Sequence, residues 1–436
     1  MSISDTSQQP KKILIITSSG GGGLIQTANA KEQEIRANHP NSVIVRRDLM
    51  KDWMFDWMGR YCINKWNLAQ QRGDVAAQTF CVWAQCLAEY LFWPNLFFGT
   101  LLTALKEDID HVIDTQPIGT SPIIRALRIF NWRRKKRVCL QKVLVDLPTK
   151  RCTHFFRPIK NLSKKNRPFL RLTTIIPLLE EGQTGEEFWQ TNCRLSEKEV
   201  QYEDVYVRQS FLKCKGKGRA VDPVTLKVRY KNNEEIQLMR KTFERGSIKA
   251  TIQEGEVDFQ LMPQDRLFTV LLGSQPANEA TLNYVKKFAQ LVAESGSPKI
   301  PTHLFVFCSD HKTGERSLFR RVADFTETMK EYPKHFSIVP FSFQNDDVIA
   351  PLFSRSHITC TRSGGQTAME LMCVSNGEIW IHSEAKKDAE GNELSMQELL
   401  QGIPGWESAN AVYLQKLRGA KIVTPETFAP FARPLL

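Results

Sequence analysis

The sequence predicts an α/β chain of two domains, each built on a mostly parallel sheet, and three observations carry that prediction. The 436 residues exceed the length at which one hydrophobic core stops growing. Short, continuous apolar runs alternate with helix-like stretches over most of the chain. Each half opens on a strand-like run that ends in a glycine-bearing turn. Hydrophobic residues at 42% and charged residues at 24% exclude a disordered, collagen-like or multi-span membrane chain.

Taken in order, residues 1–10 are polar and are expected to be disordered, and no signal-peptide core follows them. That predicts a cytoplasmic protein and leaves export by a non-Sec route open. Lys11–Thr17 reads as a buried strand, Ser18–Gly23 as a glycine loop, and the stretch from Leu24 as a helix; Val43–Asp48 then completes a βαβ unit. Further strands are expected at His111–Asp114, Val138–Asp146, Leu267–Leu272, Thr302–Cys308, Phe336–Val339, His357–Thr361 and Glu378–Ile381. Helices are expected at Glu279–Ser295 and Glu315–Tyr332. The alternation pauses between 161 and 264, where polar and charged residues dominate. The expected organisation is therefore a first domain over 11–160, a polar insertion or linker over 161–264, and a second domain over 265–436. Ten scattered cysteines show no C-x-x-C or metal-ligand spacing and read as idle or buried thiols of a reducing compartment.

Lys and Arg outnumber Asp and Glu by 59 to 47, a net +12 that favours an anionic partner. Phe80–Leu105 is apolar for the length of a membrane span, but Glu89 and Pro94-Asn95 interrupt it. Two short helices fit better, either packed in the core or dipping an aromatic edge into a bilayer surface. Just downstream, residues 125–137 carry seven basic side chains in thirteen positions. They form a solvated basic face, a patch for anionic lipid headgroups, or a nucleic-acid patch. Segment 80–137 is thus the candidate membrane-facing region, with Trp93, Phe97, Phe98, Arg133, Arg134, Lys135 and Lys136 as its contact residues.

The chemistry-bearing signals are turns. Gly20–Gly23 lets the backbone approach a ligand, but it lacks the G-x-G-x-x-G dinucleotide fingerprint and has no P-loop lysine. Ile358–Thr361 leads into Arg362-Ser363-Gly364-Gly365-Gln366-Thr367, after which a helix starts with Glu370 in its first turns. Such a turn can hold a pyrophosphate on its N–H groups and Thr367, while Glu370 accepts two ribose hydroxyls. An ordinary capped helix is the alternative. Leu267–Leu272 enters a second turn at Gly273-Ser274, and Pro404-Gly405-Trp406 precedes Glu407 and Asn410, which share one helical face.

This order of motifs resembles glycosyltransferases of the two-Rossmann-domain (GT-B) type. The similarity is greatest to the group holding monogalactosyldiacylglycerol synthases and the N-acetylglucosaminyltransferase that completes the lipid-linked peptidoglycan precursor. The resemblance rests on Gly21–Leu24, Val112–Gly119, Leu144–Thr149 with Thr153–Pro158, Arg362–Glu370 and Pro404–Asn410. It implies two Rossmann-like domains facing a cleft, with transfer of a sugar from a nucleotide diphosphate sugar, UDP-linked by preference, to an acceptor hydroxyl with inversion. The aromatic stretch 80–105 with the adjacent basic run points to a lipid-borne acceptor at a membrane surface, and the fold implies no cofactor or metal; Asp346-Asp347 is not an Asp-x-Asp metal motif. The implied donor residues are Gly22, Gly23, Gly273, Ser274, Arg362, Ser363, Gly364, Gly365, Gln366, Thr367, Glu370, Glu407 and Asn410. Asp146, then His154, are the candidates for the catalytic base. Leu24 departs from the family by standing where a histidine implicated in catalysis often occurs, and leucine exchanges no proton. A protein acceptor, or a non-catalytic nucleotide-sugar or lipid-binding scaffold, remains the alternative. Nucleic acid would explain +12 but not the Gly-x-x-Thr-x-x-Glu turn.

Overall fold

The structure is a computed structural model that describes residues 11–219, 222–296, 298–309, 317–387 and 393–436. The segment expected to be disordered, 1–10, lies outside the described residues, as do Glu315 and Arg316 at the start of an expected helix. The chain forms two compact units. One runs to Asn64 and resumes over Cys81–Gln209; the other comprises Lys65–Phe80 and Ser210–Leu436.

The first unit opens with β1 (Lys12–Thr17), α1 (Gly22–Asn38) and β2 (Val43–Asp48). Next come α2 (Asp56–Gln71) and α3 (Val75–Leu91), a helical hairpin whose turn end belongs to the second unit. The unit continues through α4 (Trp93–Glu107), β3 (His111–Asp114), α5 (Thr120–Arg134), β4 (Leu140–Val143) and α6 (Thr153–Lys160), then β5 (Leu170–Thr174), α7 (Gly185–Cys193) and β6 (Val200–Tyr202). The strands pair in the order β2-β1-β3-β4-β5-β6, every pair parallel. Five consecutive residues of β1 are buried, so both its faces are covered, which a parallel strand of continuous apolar sequence requires. Leu14, Ile16, Val112, Leu140 and Leu172 stack across the sheet in the core. Within it lies one ion pair: Lys142 Nζ is 2.7 Å from Asp114 Oδ2, and both side chains are fully buried. Burial pushes the Asp114 carboxyl up, further than Lys142 draws it down.

The second unit begins around α8 (Gln209–Cys214) and builds a three-stranded antiparallel sheet from β7 (Val224–Arg229), β8 (Lys249–Gln253) and β9 (Glu256–Leu261), with α9 (Asn233–Phe243) between β7 and β8. Its main sheet uses β10 (Arg266–Leu271), β11 (Thr302–Phe307), β12 (Phe336–Phe341), β13 (Ile358–Thr361), β14 (Glu378–His382) and β15 (Lys421–Val423). The helices between these strands are α10 (Asn278–Glu294), α11 (Leu318–Thr328), α12 (Asp346–Arg355), α13 (Gly365–Val374), α14 (Met396–Gln401) and α15 (Gly405–Arg418), and α16 (Ala429–Ala432) follows β15, with a short 3-10 turn at Arg433–Leu435 after it. The strand order is β12-β11-β10-β13-β14-β15, all parallel. That is the doubly wound 3-2-1-4-5-6 arrangement, with its switch point between β10 and β13. The small antiparallel sheet packs on β12 through Phe259 against Phe341, with ring centroids 5.8 Å apart, and Tyr230 Oη donates to the Pro340 carbonyl at 3.2 Å.

Three expectations need correction. Residues 161–264 are not an insertion outside the domains: β5 and β6 complete the first sheet, and the rest builds the antiparallel sheet of the second unit. Helix α1 starts at Gly22 rather than Leu24, because two glycines weaken a helix without stopping it. Strand β4 ends at Val143, three residues short of Asp146. The Leu144 N–H still donates to the Thr173 carbonyl, but its own carbonyl accepts from Tyr206 Oη, so the ladder is left there.

Candidate functional site

In the second unit the turns after β10 and β13 lie at the carboxyl ends of strands flanking the switch point, where open α/β sheets bind ligands. Gly273 has φ +88°, a left-handed conformation that favours glycine, and the nearest atom to a Cβ there would be Arg362 Cδ at 3.8 Å. After β13 the chain passes through buried Arg362 and Ser363 to Gly364, the N-cap of α13, where no side chain caps the helix. A Cβ at Gly364 would meet nothing within 4 Å, so space lies beside the helix N-terminus. Glu370 is buried one and a half turns into α13 and accepts from Gln366 Nε2 at 3.2 Å. Thr367 is half-buried.

The structure brings the two C-terminal motifs together. Ser363 Oγ donates to the Glu407 carbonyl at 2.7 Å, and Asn410 Nδ2 donates to the Ser363 carbonyl at 2.8 Å. Arg362 Nε lies 3.4 Å from Glu407 Oε2. The start of α15 thus clamps the turn after β13. Asn410, fully buried, holds the turn through this bond. One strand along, Glu384 follows β14. Burial pushes its carboxyl up, but His382 and Arg362 outweigh that and hold it below the usual value.

Gly22, Gly23, Asp146 and His154 belong to the first unit. The two glycines form the first turn of α1, where Gly21 provides no side-chain cap. His154, at the second position of α6, places Nε2 2.9 Å from Asp146 Oδ2. This is hydrogen-bond distance, and which atom donates follows from the tautomer of the ring. The two base candidates are therefore one pair. The Leu24 carbonyl accepts from Thr17 Oγ1 and Thr115 Oγ1, at 3.1 and 3.2 Å, which ties α1 to β1 and β3.

The first unit also exposes an aromatic face. Trp83, Leu87, Tyr90 and Leu91 repeat at helical spacing along α3 and are all exposed. Phe98 and Leu102 on α4, and Ile129 and Trp132 on α5, are exposed as well; Trp132 reaches 84%. A cavity of about 1060 Å³ is lined by Trp93, Phe97, Arg125, Ile129, Trp132 and Arg137 among others. Trp93 and Phe97 stack at 5.3 Å, Phe98 meets Phe97 edge-on at 5.0 Å, and the Arg125 guanidinium lies over Trp93 at 5.4 Å. Arg133, Arg134 and Lys135 are exposed but do not line the cavity. Lys136 does, and it is paired with Asp108 and Asp110 at 3.0 and 2.9 Å. No helix among the described residues is long and apolar enough to cross a membrane.

Sequence reasoning missed Gln71, Gln78, Gln275 and Glu384 in the second unit and Phe169 at the cavity, and it counted Arg125 and Arg128 only as members of the basic run, not among the contact residues. The break Arg72-Gly73-Asp74 between two helical stretches was the one local signal of the hairpin turn.

No family model matches the chain, and no curated protein matches it in sequence. Among solved structures it is similar to MurG of Acinetobacter baumannii at 12% identity, covering 98% of this chain and 91% of that one with a TM-score of 0.45. It is similar to a UDP-GlcNAc 2-epimerase of Neisseria meningitidis bound to UDP-GlcNAc at 9% identity, covering 97% and 98% of the two chains with a TM-score of 0.37. A third similar structure is SsfS6, a glycosyltransferase of Streptomyces sp. SF2575, at 10% identity, 97% and 90% coverage and a TM-score of 0.43.

Proposed function

We propose that the protein is a GT-B glycosyltransferase that moves a sugar from a UDP-sugar to an acceptor hydroxyl borne by a membrane lipid. The observation that carries this reading is the interlocked turn cluster at the switch point of the second sheet, where Arg362, Ser363, Glu407 and Asn410 hold an uncapped helix N-terminus over open space. A helix N-terminus of this kind stabilises a diphosphate, and Glu370 is the candidate partner for ribose hydroxyls. In the first unit the Asp146–His154 pair is the candidate base. The acceptor hydroxyl gives up its proton to the pair as its oxygen bonds to the sugar's anomeric carbon, and the bond from that carbon to the diphosphate breaks with inversion. The leaving diphosphate carries its charge away on the donor turn, with no metal assigned to the step.

The lipid acceptor and peripheral membrane location are supported by the exposed aromatic side chains beside the basic run, which suit an interfacial protein. Assays of UDP-sugar hydrolysis and of transfer to lipid acceptors test the reading. Asp146→Asn and His154→Gln should each lower kcat by about 10²-fold or more, the scale of general-base catalysis. Turnover at the wild-type rate in both variants would remove the pair from the mechanism.

A further inference from the structure

The turn end of the α2–α3 hairpin, residues 65–80, packs within the second unit against the same strand ends that form the donor turns. Gln71 Nε2 donates to Gln275 Oε1 at 2.8 Å, just after the Gly273-Ser274 turn. Arg362 Nη2 donates to Gln78 Oε1 at 2.7 Å. Gly73, at φ +65°, passes so close to Glu384 that any Cβ there would clash with the carboxylate. The Trp66 and Trp406 rings lie 6.0 Å apart. Three of these contacts fall after β10, β13 and β14, and the fourth at the start of α15, so the hairpin turn lies along the carboxyl end of this sheet.

The contact leaves an unusual set of buried polar atoms. Gln78 is fully buried and its Nε2 has no hydrogen-bond partner among the described residues; Arg362 is 5% exposed and its Nη1 likewise has none among them. The amide cannot be turned over to relieve this, because Nε2 would then face the Arg362 donor. Glu384 Oε1 lies 3.1 Å from His382 Nε2 but without hydrogen-bond alignment. Buried polar groups ordinarily find partners, so such a cluster requires an explanation. It offers both donors and acceptors: an anion would suit Arg362 and Gln78 but not Glu384, and a cation the reverse. A ring bearing several hydroxyls suits both, since each hydroxyl donates one hydrogen bond and accepts others.

We infer that the hairpin turn supplies one wall of the donor site, and that Gln78, Arg362 and Glu384 bind the hydroxyls of the sugar moiety. The inference rests on the donor reading above and adds to it a specificity element from the N-terminal half of the sequence. The test is calorimetric binding of UDP, UDP-glucose, UDP-galactose and UDP-N-acetylglucosamine to the full chain. At least one UDP-sugar should bind wild type about 10-fold tighter than UDP, and Gln78→Met and Glu384→Gln should each erase that margin while leaving UDP affinity unchanged. Hydrogen exchange on the unmutated protein provides a second measurement: the preferred UDP-sugar, but not UDP, should slow the amides of residues 65–80. Equal binding of UDP and all three sugars, equal losses for UDP and UDP-sugar in the variants, or exchange at 65–80 that is unchanged or faster would each overturn the inference. Absence of any UDP binding by wild type would instead overturn the donor reading, and the inference with it.

Discussion

The membrane proposal makes a prediction whose size follows from the exposed face. Arg125, Arg133 and Arg137 are exposed, and Arg125 and Arg137 line the aromatic cavity. A basic side chain near an anionic leaflet contributes about 1 kcal/mol. Changing all three to Gln should therefore weaken binding to vesicles containing phosphatidylserine by about 3 kcal/mol, on the order of 100-fold in partition coefficient. Binding to pure phosphatidylcholine vesicles should not change. Trp132→Ser removes an 84% exposed indole, and full burial of a large apolar side chain contributes about 1.5–3 kcal/mol. That variant should lose on the order of 10-fold or more on both vesicle types. Salt separates the two contributions, because about 1 M salt shortens the screening length to about 3 Å and suppresses the arginine effect while leaving the indole effect in place. Flotation of the full-length protein across these conditions is the assay. All four substituted side chains are exposed, so folding should be retained. Partitioning of the triple-Gln variant equal to wild type on anionic vesicles, or an equal loss on neutral ones, would refute the reasoning.

Two further outcomes concern stability. Lys142→Met strands Asp114 as an uncompensated buried charge and should cost about 3–5 kcal/mol at neutral pH; the added change Asp114→Asn, which keeps the acceptor for the Gln116 N–H at 2.8 Å, should restore much of the loss in urea unfolding. His357 is pushed down to about 4, first by burial and then by the nearby Arg219, Arg266 and Arg355, while its Nδ1 accepts from the Leu267 N–H at 3.2 Å. A depressed folded value means that the unfolded chain takes the proton first, so this contribution is complete above about pH 6.5 and is lost as pH falls through about 4. Melting temperatures of His357→Gln between pH 4 and 7 should therefore fall less steeply with acid than those of wild type.

How far the sequence disclosed the fold depends on what each residue reports. Strand β1 was legible because a parallel strand buried on both faces can be apolar without interruption, and β3, β11 and β13 were legible as short, mostly buried runs in which a few polar positions, such as His111, His303 and Thr359, break the apolar sequence. Strands β5, β6 and β15 were not: Leu170–Thr174 alternates, and Val200–Tyr202 and Lys421–Val423 are three residues each, too short to carry a period. The same logic explains the overlong reading of β4. Val143, Leu144 and Val145 are all buried, so the apolar run continues after the ladder has ended. Apolarity reports burial, and hydrogen-bond pairing is a separate matter.

For the candidate site, residues whose role depends on backbone chemistry close in sequence were legible: the glycines, the turn after β13, and Glu370 behind it. Residues whose role depends on distant chain were not. Gln71 and Gln78 look like ordinary polar positions of an amphipathic hairpin, and only their contacts with Gln275 and Arg362 bring them to the candidate site. Charge counting fails for a related reason. Of the seven basic side chains in 125–137, Lys136 is held by two aspartates, Arg134 donates to the Leu105 carbonyl and Arg128 to Asn166. About half of the apparent patch therefore holds the first unit together. The part available to an anionic surface is Arg125, Arg133, Lys135 and Arg137, all exposed, two of them lining the aromatic cavity. A run of charge in sequence thus overstates the field it presents. The stronger indicator of a membrane surface is the coincidence of those remaining arginines with indole and phenyl rings, because for an interfacial protein electrostatic attraction supplies the approach to a bilayer and apolar insertion the retention.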